Sequence, residues 1–284
     1  MPCYHPVGLV RDRKILHVKC GQCIGCRLAR SREWAVRCVH EASLYEANAF
    51  VTLTYAPGHL PVGGSLVASE IPEFIRRLRR RCGSRSVRYF ACGEYGDVCQ
   101  RPHYHALLFG FYPGDAEFSH TTDAGEKVYV SADLDQVWGL GRTLTGAVTF
   151  ESAAYVARYV AKKITGAGAK EHYESVDTET GEVFSRLPER SWMSLKPGIG
   201  QGWLQRYLDD VYPSDEVVVR GHRNPVPRYY DKLLELGRPD LLESLKLGRI
   251  KRGAARSVGD VPTLRAEEVV KQAQVGFLKR SLEG

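Results

Sequence analysis

The first half of the chain alternates between two hydrophobic periods, which predicts a fold built from both helices and strands. Residues 27–46 place apolar side chains at every third or fourth position, a spacing typical of an amphipathic helix. Residues 49–55 are β-branched and aromatic and stop before a Pro-Gly pair, as a strand does before a turn. Helical spacing returns over residues 70–81, and residues 87–92 and 103–111 predict two further strands. We therefore expect three strands arranged around a helix.

The second half of the chain has shorter patterns. Residues 146–150 predict a last strand of the sheet, followed directly by a helix over residues 152–164. Gly, Glu, Thr and Asp dominate residues 166–190, which predicts a polar surface loop or a long hairpin. Farther along, the pattern predicts a strand at 216–220 and helices at 203–211, 229–236 and 240–247. The C-terminal part is therefore expected to be mostly helical.

Composition favours a polyanionic partner and argues against a membrane protein. The 284 residues include 40 Lys and Arg against 33 Asp and Glu, a net charge of +7, and the pI is about 9.0. No apolar stretch approaches the roughly 18–20 residues that cross a bilayer, so an integral membrane protein is not expected. The eight cysteines follow no charged and apolar leader, which favours a reducing, cytoplasmic compartment over secretion.

A His-Tyr-His sequence lies inside the predicted strand 103–111. Side chains alternate between the faces of a strand, so we expect His103 and His105 on one face and Tyr104 on the other. Glu94 follows the preceding strand, and antiparallel pairing would bring its carboxylate beside both imidazoles. These three ligands leave coordination positions open for substrate oxygens, as a catalytic metal requires. Zinc and non-haem iron fit the same ligands, and a pair of ordinary hydrogen-bonded histidines is the alternative.

Two tyrosines and two lysines share the predicted helix 152–164. Tyr155 and Tyr159 are four residues apart on one face, and Lys162 joins that face. Paired aromatics at this spacing are more often core residues, but a core face rarely continues into Lys162 and Lys163. A tyrosine that attacks a phosphodiester conserves the bond as a phosphotyrosyl ester, so the strand can be rejoined without a nucleotide cofactor. A phenol has a pKa of about 10, so it needs help to ionise at neutral pH. The metal and a nearby ammonium group would supply this help, and Lys162 is the first candidate for the ammonium group.

Four of the cysteines are grouped near the N-terminus. They are Cys3, Cys20, Cys23 and Cys26. Four thiolates are the ligand set of a tetrahedral structural zinc ion, and His5 or His17 could replace one of them. Tightly spaced cysteines also hold iron–sulfur clusters or stay unligated. Zinc is the preferred interpretation on ligand spacing alone, and its role would be to fix a region too short to form its own core.

Arginines are concentrated at the end of the predicted helix 70–81 and just after it. They are Arg76, Arg77, Arg79, Arg80, Arg81, Arg85 and Arg88. Such a group can follow the phosphates of a nucleic acid, and a solvated helix face is the alternative explanation. We select Arg76, Arg77, Arg79, Arg80 and, on the tyrosine helix, Arg158 as DNA-binding candidates.

Three motifs, in this order, resemble those of the HUH endonucleases, and most closely the replication initiators of microviruses of the gokushovirus branch. Residues 50–55 (FVTLTY) resemble the family's first motif, and residues 101–109 (RPHYHALLF) its metal motif. Residues 155–163 (YVARYVAKK) resemble its tyrosine motif. The resemblance covers about residues 20–165 and extends more loosely through LKPGIGQGW and PRYYDKLL. It implies an α+β fold with a ferredoxin-like antiparallel sheet, the two histidines on a central strand and the tyrosine helix packed over the site.

The resemblance also implies a function. Two-tyrosine members of the family nick single-stranded DNA at an origin, hold the 5′-phosphate on one phenol and cut the regenerated origin with the other. This would assign Tyr155 and Tyr159 to rolling-circle replication of a small single-stranded DNA phage genome, with either tyrosine cutting first. Mg²⁺ or Mn²⁺ at the catalytic site, host replication proteins as partners and the cytoplasm of the bacterial host follow as expectations.

The expected division of the chain has four parts. Residues 1–26 form a Cys-rich segment with a zinc site, and residues 27–165 form the nuclease domain. Residues 166–190 form a polar loop, and residues 191–284 form an extension packed on the nuclease domain.

Two other functions fit parts of the sequence. In a non-catalytic, zinc-dependent nucleic-acid-binding protein, the His-Tyr-His strand and the tyrosines would be structural. A metal hydrolase or oxygenase acting on small molecules is the other. The sequence argues against it, because it shows no signal of a substrate-sized apolar pocket and carries excess positive charge. A strand-nicking enzyme is favoured because its expected site residues all occur together and in the family's order. They are Glu94, His103, His105, Tyr155, Tyr159 and Lys162.

Overall fold

The computed structural model describes residues 3–11, 14–96, 99–159, 169–176, 180–254 and 260–277. The strands in this part of the chain are β1 (Val7–Arg11), β2 (Lys14–Val18), β3 (Asn48–Thr54), β4 (Arg88–Tyr95), β5 (Pro102–Phe109), β6 (Glu117–Thr121), β7 (Lys127–Val130), β8 (Thr143–Gly146), β9 (Glu174–Val176), β10 (Val183–Ser185), β11 (Arg190–Met193), β12 (Glu216–Val219) and β13 (His222–Pro225). The α-helices are α1 (Ile24–Ala42), α2 (Glu70–Cys82), α3 (Ala132–Trp138), α4 (Phe150–Tyr159), α5 (Ala169–Tyr173), α6 (Gln201–Arg206), α7 (Leu208–Val211), α8 (Arg228–Gly237), α9 (Pro239–Ala254) and α10 (Val261–Gly276). The predicted α+β class is confirmed.

Seven of these strands form one antiparallel sheet, in the order β11-β4-β5-β3-β8-β7-β6. The strands β4, β5 and β3 lie side by side, so residues at the same level of these strands are neighbours. The helix α2 connects β3 to β4, which are separated in the sheet by β5. Three further strand pairs, β1–β2, β9–β10 and β12–β13, form separate hairpins.

A hydrophobic core covers each face of this sheet. On one face, Leu53 and Tyr104 pack with Trp138 of α3 and with the apolar side of α2. On the other face, Phe50 and Leu107 pack against α1 and α4. Full burial of a Leu or Phe side chain contributes roughly 1.5–3 kcal/mol to the free energy of folding. The alternation along β5 places the two histidines on the face covered by α1 and α4.

The helix α2 follows directly from its sequence. Ile71, Phe74 and Leu78 are buried at helical spacing. Acidic residues lie in its first turn and arginines in its last, which complements the helix dipole. The helix ends at Cys82 and is followed by Gly83, whose φ of 65° few other residues adopt.

The C-terminal elements pack on α1 through a third core. Val217, Tyr230 and Leu234 are buried there with Val36 of α1. A buried ion pair between Arg88 of β4 and Glu41 of α1 connects the sheet to the same region. The second oxygen of Glu41 accepts a hydrogen bond from the Gly200 backbone N–H at 2.7 Å. No described helix has both the length and the apolar character needed to cross a bilayer.

Several element boundaries differ from the predicted ones. The strand predicted at residues 146–150 is β8 at 143–146, because Thr149 and Ser152 exchange hydrogen bonds that cap α4 and start it at Phe150. The helix predicted at residues 203–211 is broken at Tyr207 into α6 and α7. The Cys-rich segment contains the hairpin β1–β2, and its predicted end after residue 26 falls inside α1.

The segment predicted as a polar loop or long hairpin, residues 166–190, has more structure than a loop. Its described part contains α5, the hairpin β9–β10 and the first residue of β11. β11 then joins the main sheet as its edge strand. Because β11 spans only four residues, its hydrophobic pattern is too short to separate it from a loop.

Candidate active site

The three predicted metal ligands meet on two neighbouring strands. Glu94 of β4 lies directly opposite His103 of β5, and His105 is two residues farther along the same face. The Glu94 Oε1 atom is 3.0 Å from His103 Nε2 and 2.7 Å from His105 Nε2. The three ligand atoms all lie within 4.8 Å of one another. The antiparallel pairing predicted from the sequence therefore brings these groups together, and we call them the ligand cluster.

Each histidine has an oxygen neighbour on its other ring nitrogen. His103 Nδ1 is 3.1 Å from the Arg101 carbonyl oxygen, which can only accept a hydrogen bond. His105 Nδ1 is 3.0 Å from the Thr52 hydroxyl. A neutral His103 that donates from Nδ1 therefore presents the lone pair of Nε2 to the cluster. Metal-ligating histidines are commonly oriented by such hydrogen bonds.

The charge of the cluster also suits a cation. Burial raises the pKa of Glu94, but hydrogen bonds with His103 and His105 outweigh burial and lower the pKa to about 2. Without a metal, the His103 contact requires a proton on both ring nitrogens. A divalent ion can replace the proton on Nε2, while Nδ1 keeps its proton for the Arg101 carbonyl oxygen, and the ion can then bind the carboxylate and both imidazoles directly.

The donor set fits a divalent metal ion. For bonds of about 2.1 Å, neighbouring ligands at right angles are about 3.0 Å apart, close to the spacings observed here. Histidine nitrogen is an ordinary ligand for manganese, iron and zinc, whereas magnesium prefers oxygen. Glu94 and His105 are almost fully buried, while the His103 side chain is 14% exposed. The cluster is therefore accessible from the His103 side.

Tyr155 lies against the ligand cluster. Its hydroxyl oxygen is 3.5 Å from both Glu94 Oε1 and His105 Nε2. The ring meets His105 edge to face at 5.0 Å and contacts Phe50, so the side chain is held in place by packing. Tyr155 is only 3% exposed, and the helix α4 that carries it packs beside α1. Tyr155 is therefore a core residue whose hydroxyl oxygen lies against two members of the ligand cluster.

Other residues predicted on the tyrosine helix are only partly described. Tyr159 is the last residue of α4, but its side chain lies outside the described part of the structure. Lys162 and Lys163 also lie outside it. Arg158 places its guanidinium carbon 5.8 Å from the centre of the Tyr155 ring. Arg158 is therefore the one predicted DNA-binding residue that the structure places near the cluster.

The remaining DNA-binding candidates lie elsewhere. Arg76, Arg77, Arg79 and Arg80 belong to α2, which packs on the face of the sheet opposite the ligand cluster. Arg77 donates to the carbonyl oxygens of Val137 and Trp138, and Arg79 donates to that of Val87. Arg88, which was grouped with them, is not on the surface, because it is buried against Glu41. A DNA-binding role for the four α2 arginines stays a prediction.

The four N-terminal cysteines form a second cluster. The sulfur atoms of Cys3, Cys20, Cys23 and Cys26 lie within 4.8 Å of one another, and all four are free thiols. The Cys3 and Cys23 sulfurs are 3.9 Å apart. A tetrahedral zinc with bonds of about 2.3 Å separates its sulfurs by about 3.8 Å, so the spacing fits zinc.

Backbone N–H groups point at these sulfurs. Cys20 Sγ accepts from the N–H of Gln22 and Cys23, and Cys3 Sγ accepts from the N–H of Cys20. Burial raises the pKa of Cys20, but hydrogen bonds from the Cys23 and Gln22 N–H groups and from the Cys23 and Cys3 thiols together outweigh burial and lower the pKa to about 6. His5, considered as an alternative ligand, instead contacts Glu268 of α10 at 2.5 Å. Leu264 of α10 packs on the same cysteines, so this cluster joins the N-terminal segment to α10.

The sequence analysis missed Thr52, which lies opposite His105 in the β3–β5 pairing. We expect Thr52→Val to weaken Mn²⁺ affinity about 10–100-fold, because the hydroxyl that orients His105 is lost while the side-chain shape is kept. Calorimetric titration with Mn²⁺ measures this effect. Thr145→Val is the matched control, since among the described residues the buried Thr145 hydroxyl has no hydrogen-bond partner. Equal affinities in both variants would show that Thr52 does not orient the ligand.

Comparison with known proteins places the chain in a family. Residues 48–164 match the family model described as replication-associated protein ORF2/G2P. Over 230 residues the chain is 35% identical to replication-associated protein VP4 of Bdellovibrio phage phiMH2K, an alignment that covers 78% of this chain and 68% of that protein. It is 33% identical over 230 residues to replication-associated protein ORF2 of Spiroplasma virus 4, with coverage of 77% and 68%.

A third relative is more distant. The chain is 29% identical over 223 residues to replication-associated protein ORF4 of Chlamydia phage 1, covering 76% of this chain and 53% of that protein. No solved structure matches the chain at a significant level. The resemblance to microvirus replication proteins is confirmed, and the chain belongs to the family of replication-associated proteins of these small phages.

Proposed function

We propose that this protein is a replication initiator that nicks single-stranded DNA at an origin through a phosphotyrosine intermediate and later rejoins the strand. The observation that carries the proposal is the position of the Tyr155 hydroxyl, 3.5 Å from two members of the ligand cluster. The names of the relatives support a role in replication of a small phage genome inside the bacterial host. Host replication proteins are the expected partners.

The proposed reaction is a transesterification at phosphorus. The Tyr155 oxygen bonds to the scissile phosphorus, and the bond from phosphorus to the 3′ oxygen breaks. The phenol proton leaves, and the released 3′ oxygen takes up a proton, so no oxidant or nucleotide cofactor is consumed. A divalent cation held by Glu94, His103 and His105 would polarise the scissile phosphate. Mg²⁺ or Mn²⁺ is proposed, and the two imidazoles favour Mn²⁺.

The residues around Tyr155 support a role in positioning. Phe50 packs against both the Tyr155 and the His105 rings, which limits the movement of the phenol. A nucleophile held in a fixed orientation avoids part of the entropic cost of the reaction. Tyr159, one helical turn farther along α4, is proposed as the second nucleophile, with Lys162 and Lys163 assisting.

The strand order supports the fold implied by the resemblance. The elements β3, α2, β4, β5, α3 and β8 follow one another along the chain, and the four strands lie in the order β4-β5-β3-β8. A split β-α-β unit of this kind is the ferredoxin-like arrangement. We propose that this unit is the HUH nuclease fold and that β6–β7 and β11 are additions to it.

Detection of a covalent protein–DNA adduct tests the proposal. Labelled single-stranded fragments that tile the replicon encoding this chain are incubated with the protein and Mn²⁺ or Mg²⁺. We expect one fragment to form an adduct that survives denaturation, and the change of Tyr155 and Tyr159 together to Phe to abolish it. Binding of fragments without any adduct would instead favour a non-catalytic nucleic-acid-binding protein.

We also propose that the four N-terminal cysteines bind structural zinc. Changing Cys20 and Cys23 together to Ser is expected to remove about one zinc ion per chain and to expose α10 to protease, because α10 packs on this cluster. Elemental analysis and limited proteolysis measure the two effects. The control is Cys99→Ser, an exposed cysteine outside the cluster. Unchanged zinc content in the double variant would exclude the site.

A further inference from the structure

A cleft bordered by arginines lies where α4 begins. Its lining includes Arg32 of α1, Phe150 and Glu151 of α4, and Arg220 and Arg223 from the β12–β13 hairpin. The cleft holds about 560 Å³. This volume is in the range of roughly 300–1,000 Å³ that ligand sites in proteins occupy. The arginines come from distant parts of the sequence, so no single motif reveals this site.

The cleft is close to the proposed nucleophile. Glu151 in its wall and Tyr155 at the ligand cluster belong to the same helix, four residues apart. At 1.5 Å per residue this separation is about 6 Å along the helix axis. The cleft therefore lies about one helical turn from the residue that carries the proposed nucleophile.

The tip of the hairpin holds Arg220 in an unusual conformation. β12 ends at Val219 and β13 begins at His222, so Arg220 and Gly221 form a two-residue turn. Their φ angles are 52° and 75°. A turn with two positive φ angles normally has Asn, Asp or Gly at its first position, and a long side chain there is uncommon. Such strain often marks a functional position.

The hairpin is anchored, and its cations are accessible. Val217 and Val219 are buried in the core shared with α1, which fixes the tip relative to α4. Arg220 forms an ion pair with Glu151, and the two side chains are 62% and 54% exposed. Arg223 pairs with Glu216 at 3.3 Å and is 79% exposed. Ion pairs this exposed are weak because water screens both charges, so a phosphate can displace these carboxylates.

We infer that this cleft binds the phosphodiester backbone of the single-stranded DNA that is cut at the ligand cluster. The inference rests on the proposed function. Guanidinium groups bind phosphate oxygens through pairs of N–H donors, and Arg32 adds a third arginine to the lining of the cleft. Contacts of this kind position the strand without reading its sequence. The C-terminal region would thus supply part of the DNA-binding surface.

The salt dependence of DNA binding tests the inference. Affinity for labelled oligodeoxythymidylate of about 30 nucleotides is measured by anisotropy at several salt concentrations. This length exceeds the roughly 4–16 nucleotides that a single-strand-binding OB-fold covers. The double variant Arg220→Gln, Arg223→Gln is expected to lower the slope of log affinity against log salt by about 1.4, since each phosphate contact to a single strand contributes about 0.7. The control is Arg238→Gln, an exposed arginine paired with Asp209 that does not line the cleft.

A second variant has the opposite expected effect. Glu151→Gln removes the carboxylate that competes with phosphate for Arg220, so DNA affinity is expected to rise several-fold. An unchanged slope in the double arginine variant, or weaker binding by Glu151→Gln, would overturn the inference. Because all these side chains are exposed, equal melting temperatures are expected and show that the variants are folded.

Failure of the inference is distinguishable from failure of the proposed function. Adduct formation is measured in parallel on a fragment that ends close to the cut site. An unchanged salt slope with normal adduct formation rejects the cleft and leaves the nicking activity standing. A lowered slope in a protein that forms no adduct with any fragment supports the cleft and rejects the phosphotyrosine mechanism.

Discussion

Replacing Tyr155 by Phe is expected to lower the rate of the first strand cut by at least about 10⁴-fold, in the range of losses seen when a nucleophile is removed. The change deletes only the oxygen that lies 3.5 Å from Glu94 and His105. The ring contacts with Phe50 and His105 are kept, so the fold should be unaffected. Single-turnover cleavage of the origin fragment with Mn²⁺ measures the rate.

Tyr45→Phe is the matched control for this variant. Tyr45 also packs at the core on the α1 and α4 side of the sheet, but it is not part of the ligand cluster. Its change should leave the cleavage rate within about twofold of the original, as a surface or peripheral substitution does. If Tyr155→Phe cuts normally and Tyr159→Phe does not, then Tyr159 makes the first cut and Tyr155 has a structural role.

Removing the charge of Glu94 is expected to have the second large effect. Glu94→Gln keeps the size of the side chain, but an amide is a poor metal ligand compared with a carboxylate. Changes at residues that only orient metal ligands weaken metal affinity about 10–100-fold. Loss of a ligand itself should therefore weaken Mn²⁺ binding by more than about 100-fold. Cleavage should fall at least in proportion. Calorimetry with Mn²⁺ and the cleavage assay measure the two effects.

Two further variants complete this experiment. His105→Ala should give the same loss of metal affinity, because its Nε2 atom faces Glu94 at 2.7 Å. The control is His120→Ala, an exposed histidine on β6 outside the cluster. Cleavage that persists in Glu94→Gln and is insensitive to chelators would remove the role given to the cluster.

The geometry of the ligand cluster could be predicted because it depends on local periodicity and one strand pairing. Alternation along residues 103–105 determines which face the histidines share. A hairpin between two predicted strands then brings Glu94 opposite His103. Neither step needs knowledge of distant packing. The tyrosine helix was similarly visible, although its start was misplaced because Phe150 resembles the end of a strand.

The parts that could not be predicted depend on contacts between residues far apart in sequence. Thr52 is 53 positions from His105 and has no pattern that marks it as an orienting residue. The arginine cleft joins α1, α4 and a hairpin near residue 220, and such a meeting follows only from the tertiary structure. Arg88 was grouped with surface arginines because it follows Arg81 and Arg85 in the sequence. Its partner Glu41 lies on a different element.

Mapping the DNA-linked residue by mass spectrometry after a single turnover tests the central claim most directly. We predict that a peptide from α4 carries the nucleotide on Tyr155, and that the adduct forms with Mn²⁺ and disappears when the metal is chelated. An adduct on a residue outside α4, or one that forms equally well without metal, would contradict the account.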